Sequence, residues 1–536
     1  MNRSFDYHPG MASRLLLLAL LSIAMLSDAC ATRPSIGPEA ARELIDESAE
    51  AMGGWEALDS LKSQELRTSG SDWEPLQAVE PNAAPRQVNT FEQTMYANYV
   101  QNKVRIAFEA MRMYPTSAAV RFIETIDGEV GMLESTGADG KVVRERLHPS
   151  RFAARLRDFK RLPARVLYAA RDAPDLARAE DANVDNIAVH VLKYTDGGLP
   201  VELHLNGVTK LPARVIYMED DPVYGDVPNA VTFSDWKESG GVKFPETLLT
   251  FLNGRKIREE RVVARVDNPL IGDDVFSIPD EIRAQAENGQ RIASQWTLRR
   301  AVMGVAYQDF AREQKVELYQ IARGVYHVRG GSHHSMVVAM RDHLVVVEAP
   351  LFEERSLAVL EALGERFPGK PVTHLVVTHF HFDHVGGVRA YAAKGATIFT
   401  PESIAPFIQE MLKRPHTLRP DTLAKTAVEP RIEGVAAVKV ISDGERTIEL
   451  RSIENDHAAG MLAAYLPAEK IVFVSDLYSP PGPAPNPSVI FEPRRAAAFY
   501  KALVGSGLKV DTIVGGHGTV GSFRDFERAV KRGMGS

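Results

Sequence analysis

Seven consecutive residues of this chain concentrate metal-binding side chains on one short segment. They read Thr378-His379-Phe380-His381-Phe382-Asp383-His384. A largely apolar, β-branched run at 374–377 predicts a short buried strand before them, and a Gly-Gly pair and a helical stretch at 388–394 follow. Four such side chains would each need burial and a partner, so a purely structural role is hard to sustain. Imidazole and carboxylate together suit a zinc-type ion.

Strand alternation divides these four side chains between two sites. His379 and His381 are predicted to point the same way and to share one metal. Asp383 and His384 lie on the turn beyond, placed for a second metal. The H-x-H-x-D-H run resembles the signature of the metallo-β-lactamase superfamily.

That resemblance implies three further ligands, in a fixed order, at the ends of later strands. A histidine comes first, and His457 stands in an Asn-Asp-His-Ala-Ala-Gly run. An aspartate comes next, and Asp476 ends an apolar strand-like run. A last histidine closes the series, and His517 follows a late strand that ends in Gly-Gly. All three predicted positions are filled.

The resemblance also implies a division of labour among these residues. His379, His381 and His457 are expected to hold a first zinc ion, and the second is expected to lie on the remaining ligands, Asp383, His384 and His517, with Asp476 bridging the two. Two zinc ions about 3.5–4 Å apart lower the pKa of a shared water toward ~7, and the hydroxide attacks an acyl carbon. Asp383 is then the candidate catalytic residue, which orients the water and shuttles its proton.

Other residues are candidates for supporting roles. Glu348 stands where many superfamily members have a strand-end aspartate, and it is expected to accept a hydrogen bond from a metal-binding histidine, although an ordinary strand-end charge is the alternative. Tyr478 is a candidate donor to a developing oxyanion, or a packing residue. His334 and its neighbour His333 are candidates for substrate contact, with a surface role equally open. Arg389 is expected to be ion-paired.

The chain divides by pattern into four parts. A basic start, an apolar run and an Ala-x-Ala site predict a signal peptide at 1–31, and hence a periplasmic or secreted protein. Ordinary cleavage is favoured over lipidation of Cys30. Residues 32–283 are predicted to be β-rich, 284–315 to be a helical linker, and 316–536 to be the metallo-β-lactamase fold. The expected fold class is α+β, an αββα sandwich preceded by an antiparallel, half-barrel-like domain.

The β-rich part carries clear hairpin signals, Gly240-Gly241 and Asn253-Gly254 among them. Its layout resembles the half-barrel of periplasmic lipoprotein carriers, with a Gly-Gly-Trp after a helix and an Asp-Asn-Pro-Leu…Phe-Ser-Ile-Pro ending. The resemblance implies an apolar cavity for a lipid-like ligand or a peptide, and a scaffold role is the alternative.

A basic amphipathic stretch at 151–171 is interpreted as a solvated surface helix. Contact with anionic lipid and cover for a cavity are the alternatives left open.

Net charge and the metal motif together limit the function. A formal net charge of −7 argues against a nucleic-acid surface, so a small-molecule substrate is expected. We expect an exported dinuclear zinc metallo-hydrolase, with two Zn²⁺ per chain, that cleaves an ester, lactone, thioester or amide. A mononuclear iron persulfide dioxygenase is one alternative, and a non-enzymatic periplasmic lipid or lipoprotein carrier is the other. The sequence leaves the substrate and the oligomeric state open.

Overall fold

In the computed structural model, the described residues are 37–136, 140–287, 292, 299, 301–303, 315–481 and 492–533. The predicted signal peptide at 1–31, with Cys30, and most of the predicted linker at 284–315 lie outside them. Within these ranges, no helix combines the length and the apolar character that crossing a membrane requires.

The elements of the described residues follow one another in this order. The helices are α1 (Pro38–Met52), α2 (Trp55–Ser60), α3 (Pro149–Lys160), α4 (Pro163–Asp172), α5 (Asp280–Arg283), α6 (Glu353–Arg366), α7 (Phe382–Val385), α8 (Val388–Ala393), α9 (Ala405–Lys413), α10 (Pro493–Gly505) and α11 (Phe523–Gly533). The strands of the N-terminal part are β1 (Ser63–Glu74), β2 (Arg86–Asn98), β3 (Lys103–Arg112), β4 (Ala118–Asp127), β5 (Val130–Thr136), β6 (Val142–Arg146), β7 (Ala177–Arg178), β8 (Ala182–Val184), β9 (Ile187–Asp196), β10 (Leu199–Asn206), β11 (Pro212–Asp221), β12 (Gly225–Ser239), β13 (Val242–Leu252) and β14 (Arg255–Asp267). The later strands are β15 (Glu317–Ala322), β16 (Val325–Arg329), β17 (Ser335–Ala339), β18 (Leu344–Val347), β19 (Val372–Val376), β20 (Thr397–Pro401), β21 (Arg431–Val435), β22 (Val438–Ser442), β23 (Thr447–Ser452), β24 (Leu462–Leu466), β25 (Ile471–Val474), β26 (Thr512–Gly515) and β27 (Val520–Ser522).

The N-terminal strands form one antiparallel sheet of 14 strands, as the hairpin signals predict. Most neighbours in the sheet are neighbours in sequence, but the first strand, β1, pairs with the last, β14. Asn253 and Gly254 join β13 to β14 with φ values of 51° and 74°. Two consecutive positive φ values give the turn the twist that a tight hairpin needs, which is why an Asn-Gly pair stands there.

The basic segment at 151–171 is not the solvated helix that its composition predicts. It forms α3 and α4, with the break just before Pro163. Four of its arginines are buried, namely Arg151, Arg155, Arg157 and Arg161. Arg155, Phe159 and Leu162 of this segment line a cavity of about 170 Å³ together with strands β1, β2, β12, β13 and β14, so the cavity-covering alternative describes its place in the fold. Whether the segment also contacts lipid stays a prediction.

Buried carboxylates from distant strands compensate these arginines. Glu124 on β4 accepts hydrogen bonds from Arg151 and Arg155. Glu219 on β11 pairs in the same way with two further arginines of the segment. Burial alone would raise the pKa of Glu124, but the charges of Arg151 and Arg155 lower it below its ordinary value. Buried ion pairs therefore hold the segment against the sheet. Removal of either charge of a pair would leave the other charge buried without compensation.

The C-terminal part is a sandwich of two sheets with helices on both outer faces. One sheet has 7 strands, β15 to β21, and the other has 6, β22 to β27. Alternation along β18 shows the layering: Leu344 and Val346 pack toward the α6, α8 and α9 side, whereas Val345 and Val347 pack against the second sheet. Helices α10 and α11 cover that sheet from outside. The predicted α+β class, with its αββα sandwich, is confirmed.

Replacing Glu124 tests the buried ion pairs. Glu124→Ala leaves two buried guanidinium groups without this carboxylate, and we expect a loss of about 3–5 kcal/mol in the free energy of unfolding. The measurement is urea unfolding followed by tryptophan fluorescence, because all four tryptophans precede residue 316. The control is Glu109→Ala on β3, whose ion pair with Arg121 is exposed and is expected to contribute less than about 1 kcal/mol. Equal effects of the two variants would contradict the account.

Candidate metal centre

The predicted metal-binding side chains come together at one edge of the sandwich. β18, β19 and β20 are parallel, and so are β25 and β26, so their carboxyl ends lie at a common edge. Glu348 directly follows β18, and the motif at 379–384 follows β19. Asp476 and His517 follow β25 and β26, and His457 stands in the loop between β23 and β24. Each site residue is thus fixed close to the end of a buried strand.

Three histidines form a first group around one oxygen of Asp476. The Oδ2 atom of Asp476 lies 3.0 Å from Nε2 of His457 and 3.8 Å from Nε2 of His379. His381 completes the group, with its ring centroid 4.4 Å from that of His457 and 4.6 Å from that of His379. One ligand atom from each of these four residues lies within 4.8 Å of every other, which is a spacing that a single ion can span.

A second group surrounds the other oxygen of Asp476. Its Oδ1 atom lies 3.1 Å from Nε2 of His384 and 3.1 Å from Nε2 of His517. Asp383 lies beside this pair, with its Oδ1 atom 4.0 Å from Nε2 of His384. His333 also joins the group, because its Nε2 atom lies 3.1 Å from Oδ2 of Asp383 and its ring stacks edge-on against His517 at 4.1 Å.

The chemistry of the first group fits a bound cation. Among the described residues, four ring nitrogens of the group are buried without a hydrogen-bond partner: Nε2 of His379, Nδ1 of His381 and both nitrogens of His457, whose Nε2 instead faces Oδ2 of Asp476 at 3.0 Å. Burial and the neighbouring imidazoles lower the pKa of all three rings, so each keeps a lone pair at neutral pH. Buried lone pairs without donors are costly unless an ion takes them up. Zinc accepts this donor set.

The second group also attracts positive charge. Burial alone would lower the pKa of His384, but the carboxylates of Asp476, Glu348 and Asp383 raise it well above its ordinary value. For Asp476 the directions are reversed. Burial alone would raise its pKa, but His384, His517 and His457 hold it well below its usual range. Three carboxylates this close together in a buried site favour a divalent cation among them.

Glu348 contacts the metal-binding histidines in the manner predicted for it. Its Oε2 atom lies 3.1 Å from Nδ1 of His384, and its Oε1 atom accepts a hydrogen bond of 2.5 Å from the hydroxyl of Thr378. The same hydroxyl lies 3.0 Å from Nδ1 of His379. Glu348 thereby orients one histidine of each group, because a ring held at Nδ1 presents Nε2 to the metal. Its backbone φ of 69° is rare for a residue with a side chain.

The structure places the three candidates for substrate contact, Tyr478, His334 and His333, in different surroundings. Tyr478 packs in the apolar cluster under α10 and α11, with its ring 4.4 Å from that of Phe526. His334 is buried against His327, at 4.7 Å between ring centroids, and its backbone N–H donates to the carbonyl of Gly516. Its neighbour His333 is the ring that contacts the second group. The loop pattern contained no signal to decide which of the two adjacent histidines points inward.

Two groups from the loop between β1 and β2 also reach the metal centre, and the sequence contains no signal for them. Gln77 donates a hydrogen bond of 2.6 Å from Nε2 to Oδ1 of Asp383. The backbone carbonyl of Ala78 lies 2.9 Å from Nε2 of His381. Because these partners are more than 300 residues apart in the chain, no local pattern predicts the contacts.

Comparisons with known proteins were made on both sequence and fold. Residues 328–517 match the family model described as the metallo-beta-lactamase superfamily. A linear primary-alkylsulfatase of Pseudomonas sp is 33% identical over 73 residues, which are 13% of this chain and 11% of that protein. The chain therefore aligns with only a small part of this curated relative.

Solved structures that are similar to the chain include two metallo-β-lactamases. The enzyme from Pontibacter korlensis is 18% identical and covers 41% of this chain and 100% of its own, with a TM-score of 0.33. FIM-1 from Pseudomonas aeruginosa, solved in a mono-zinc form, is 19% identical and covers 42% of this chain and 98% of its own, with a TM-score of 0.31. The family match spans the strand-end motifs from β16 to His517. The C-terminal part of this chain is a domain of the metallo-β-lactamase superfamily.

Proposed function

We propose that this protein is an exported dinuclear zinc hydrolase that cleaves an ester, lactone, thioester or amide of a small molecule. The observation that carries the proposal is the position of Asp476, which faces one group of histidines with each oxygen. Its Oδ2 lies 3.0 Å from His457, and its Oδ1 lies 3.1 Å from both His384 and His517. A carboxylate between two sets of donors is the arrangement that a pair of metal ions needs. Export is proposed from the signal pattern at 1–31.

The chemistry that zinc would supply, if held by these residues, is Lewis acidity, which would lower the pKa of a water toward about 7 and polarise the bond to be cleaved. Asp383 contributes a buried carboxylate beside the second group, where it orients the attacking water and accepts its proton. His333, with Nε2 at 3.1 Å from Oδ2 of Asp383, keeps that carboxylate in place. Glu348 fixes the ring of His384 through Nδ1. All these side chains are buried, so the site limits the access of bulk water.

The two alternatives have less support. A mononuclear iron dioxygenase needs one set of donors with open positions, such as two histidines and a carboxylate, whereas here a second set with its own histidines lies across Asp476. A carrier without catalysis needs the cavity in the N-terminal sheet but has no use for two groups of buried metal-binding residues. The short match to an alkylsulfatase adds sulfate esters to the substrates that merit testing.

A substrate panel with metal removal tests the proposed activity directly. Full-length mature protein is assayed on esters, lactones, thioesters, amides and alkyl sulfates before and after chelation. We expect turnover of at least one class, loss of that turnover with the metal, and recovery when zinc is added back, because the hydrolytic water depends on Lewis acidity. Oxygen consumption with a persulfide, together with about one iron per chain, would replace the hydrolase with the dioxygenase. No turnover in any class would favour the carrier.

Replacing Asp476 tests its place between the two groups. Asp476→Asn keeps the size of the side chain but removes the negative charge that both groups share. We expect bound zinc to fall from two to one or fewer per chain, and turnover to fall by at least about a hundredfold. Elemental analysis and initial rates measure the two effects.

The matched control for that variant is Asp511→Asn. Asp511 lies just before β26 in the same domain, where its Oδ2 atom makes an exposed ion pair of 3.1 Å with Lys470. Its replacement is expected to leave metal content and rate unchanged. Full metal content in Asp476→Asn would contradict the bridging role.

A further inference from the structure

Three consecutive residues of the N-terminal part contact two loops of the metal centre, the motif at 379–384 and the loop of His457. Nε2 of Gln77 donates to Oδ1 of Asp383 at 2.6 Å. The carbonyl of Ala78 accepts from Nε2 of His381 at 2.9 Å, which leaves Nδ1 of that ring for a metal. The carbonyl of Val79 accepts at 2.6 Å from the N–H of Ala459, two residues after His457. We call residues 77–79 the bridging turn.

The bridging turn is anchored by a buried charge network. Glu74, at the end of β1, accepts the N–H of Leu76 at 2.9 Å and so caps the short 3₁₀ turn that leads to Gln77. Glu74 also pairs with Arg299, whose Nη1 atom donates to Asp221 at 2.6 Å. The guanidinium of Arg299 lies 4.3 Å from the ring centroid of Phe382, the residue between His381 and Asp383 in the motif. Network and motif are therefore in direct contact.

A tyrosine fixes the orientation of the Gln77 amide. The hydroxyl of Tyr114 donates to Oε1 of Gln77 at 2.8 Å, while Nε2 donates to the carboxylate of Asp383. A carboxylate in its charged form accepts only, so the amide can satisfy both partners in one orientation alone. Both side chains are buried, at 2% exposure for Gln77 and 9% for Tyr114. The donor and acceptor of each hydrogen bond that links Tyr114, Gln77 and Asp383 are thus determined.

We propose that Gln77 is a positioning residue for Asp383, that Tyr114 acts through Gln77, and that the metal centre is complete only with the N-terminal part of the chain. Gln77 holds one oxygen of Asp383 and His333 holds the other, so the carboxylate is fixed at both ends. A metal-binding carboxylate held by such partners already has its binding geometry before the metal binds, so the affinity of the site for the metal is higher. The inference rests on the proposed dinuclear zinc function and assigns to the N-terminal sheet a part in it.

Zinc titration of the metal-depleted full-length protein tests the proposal. Wild type is expected to bind two zinc ions in calorimetry. In Gln77→Ala, the affinity of the second ion is expected to fall about 10- to 100-fold. The affinity of the first ion is expected to stay unchanged, because Ala78 contacts His381 through its backbone. In Tyr114→Phe, which keeps the ring and loses the hydroxyl, the second affinity is expected to fall about two- to tenfold.

A double variant separates positioning from a general structural effect. If Tyr114 acts through Gln77, the variant with both changes binds the second ion no more weakly than Gln77→Ala alone, whereas independent structural losses would add. Gln87→Ala on β2 is the matched control, because Gln87 is exposed and its amide donates to the hydroxyl of Ser71 and the carbonyl of Asn89. That variant is expected to bind both ions as wild type does.

The outcomes distinguish the inference from the proposed function. Two zinc ions in wild type, with an unchanged second affinity in Gln77→Ala, would overturn the positioning role and leave the hydrolase standing. Wild type that binds fewer than two ions would overturn the dinuclear proposal, and the inference with it. If Gln77→Ala does not fold, Tyr114→Phe decides: a weaker second affinity supports the proposal, and an unchanged one overturns it.

Discussion

The contact between Asp476 and two sets of histidines governs the organisation of the C-terminal domain. Each oxygen of this buried carboxylate lies about one hydrogen-bond length from an imidazole of a different group. Such a concentration of donors is unfavourable in a protein interior unless cations compensate it. The surrounding sandwich therefore has to hold several loops rigidly at one edge, and the strand ends of both sheets do so.

At two positions in the loops that carry these ligands, the packing leaves no room for a residue larger than glycine. A Cβ atom at Gly386, directly after α7, would lie 1.9 Å from the carbonyl oxygen of Leu351. At Gly516, next to His517, a Cβ would lie 2.9 Å from the hydroxyl of Ser475 and 3.0 Å from Oε2 of Glu348. Contacts this short leave no room for a side chain at either position, so the absence of a side chain lets these loops approach Leu351, Ser475 and Glu348 closely.

Much of this domain could be predicted because its information is local. The H-x-H-x-D-H run, the strand before it and the later ligands at strand ends lie in short contiguous patterns, and the structure brings all seven predicted metal ligands to one edge. The missed features depend on distant partners. Arg151 and Arg157 of α3 pair with Glu124 and Glu219, which lie on separate strands of the sheet, so composition alone favoured a solvated helix. The contact of Gln77 with Asp383 is equally non-local, and the choice between His333 and His334 depends on the course of one loop.

Anomalous X-ray diffraction at the zinc edge shows whether Asp476 lies between two metal ions. Crystals of the zinc-loaded full-length protein are predicted to show two anomalous peaks about 3.5–4 Å apart. One peak is expected among His379, His381 and His457, and the other is expected beside His384 and His517, with Asp476 between them. A single peak in the first group, or peaks away from Asp476, would contradict the account.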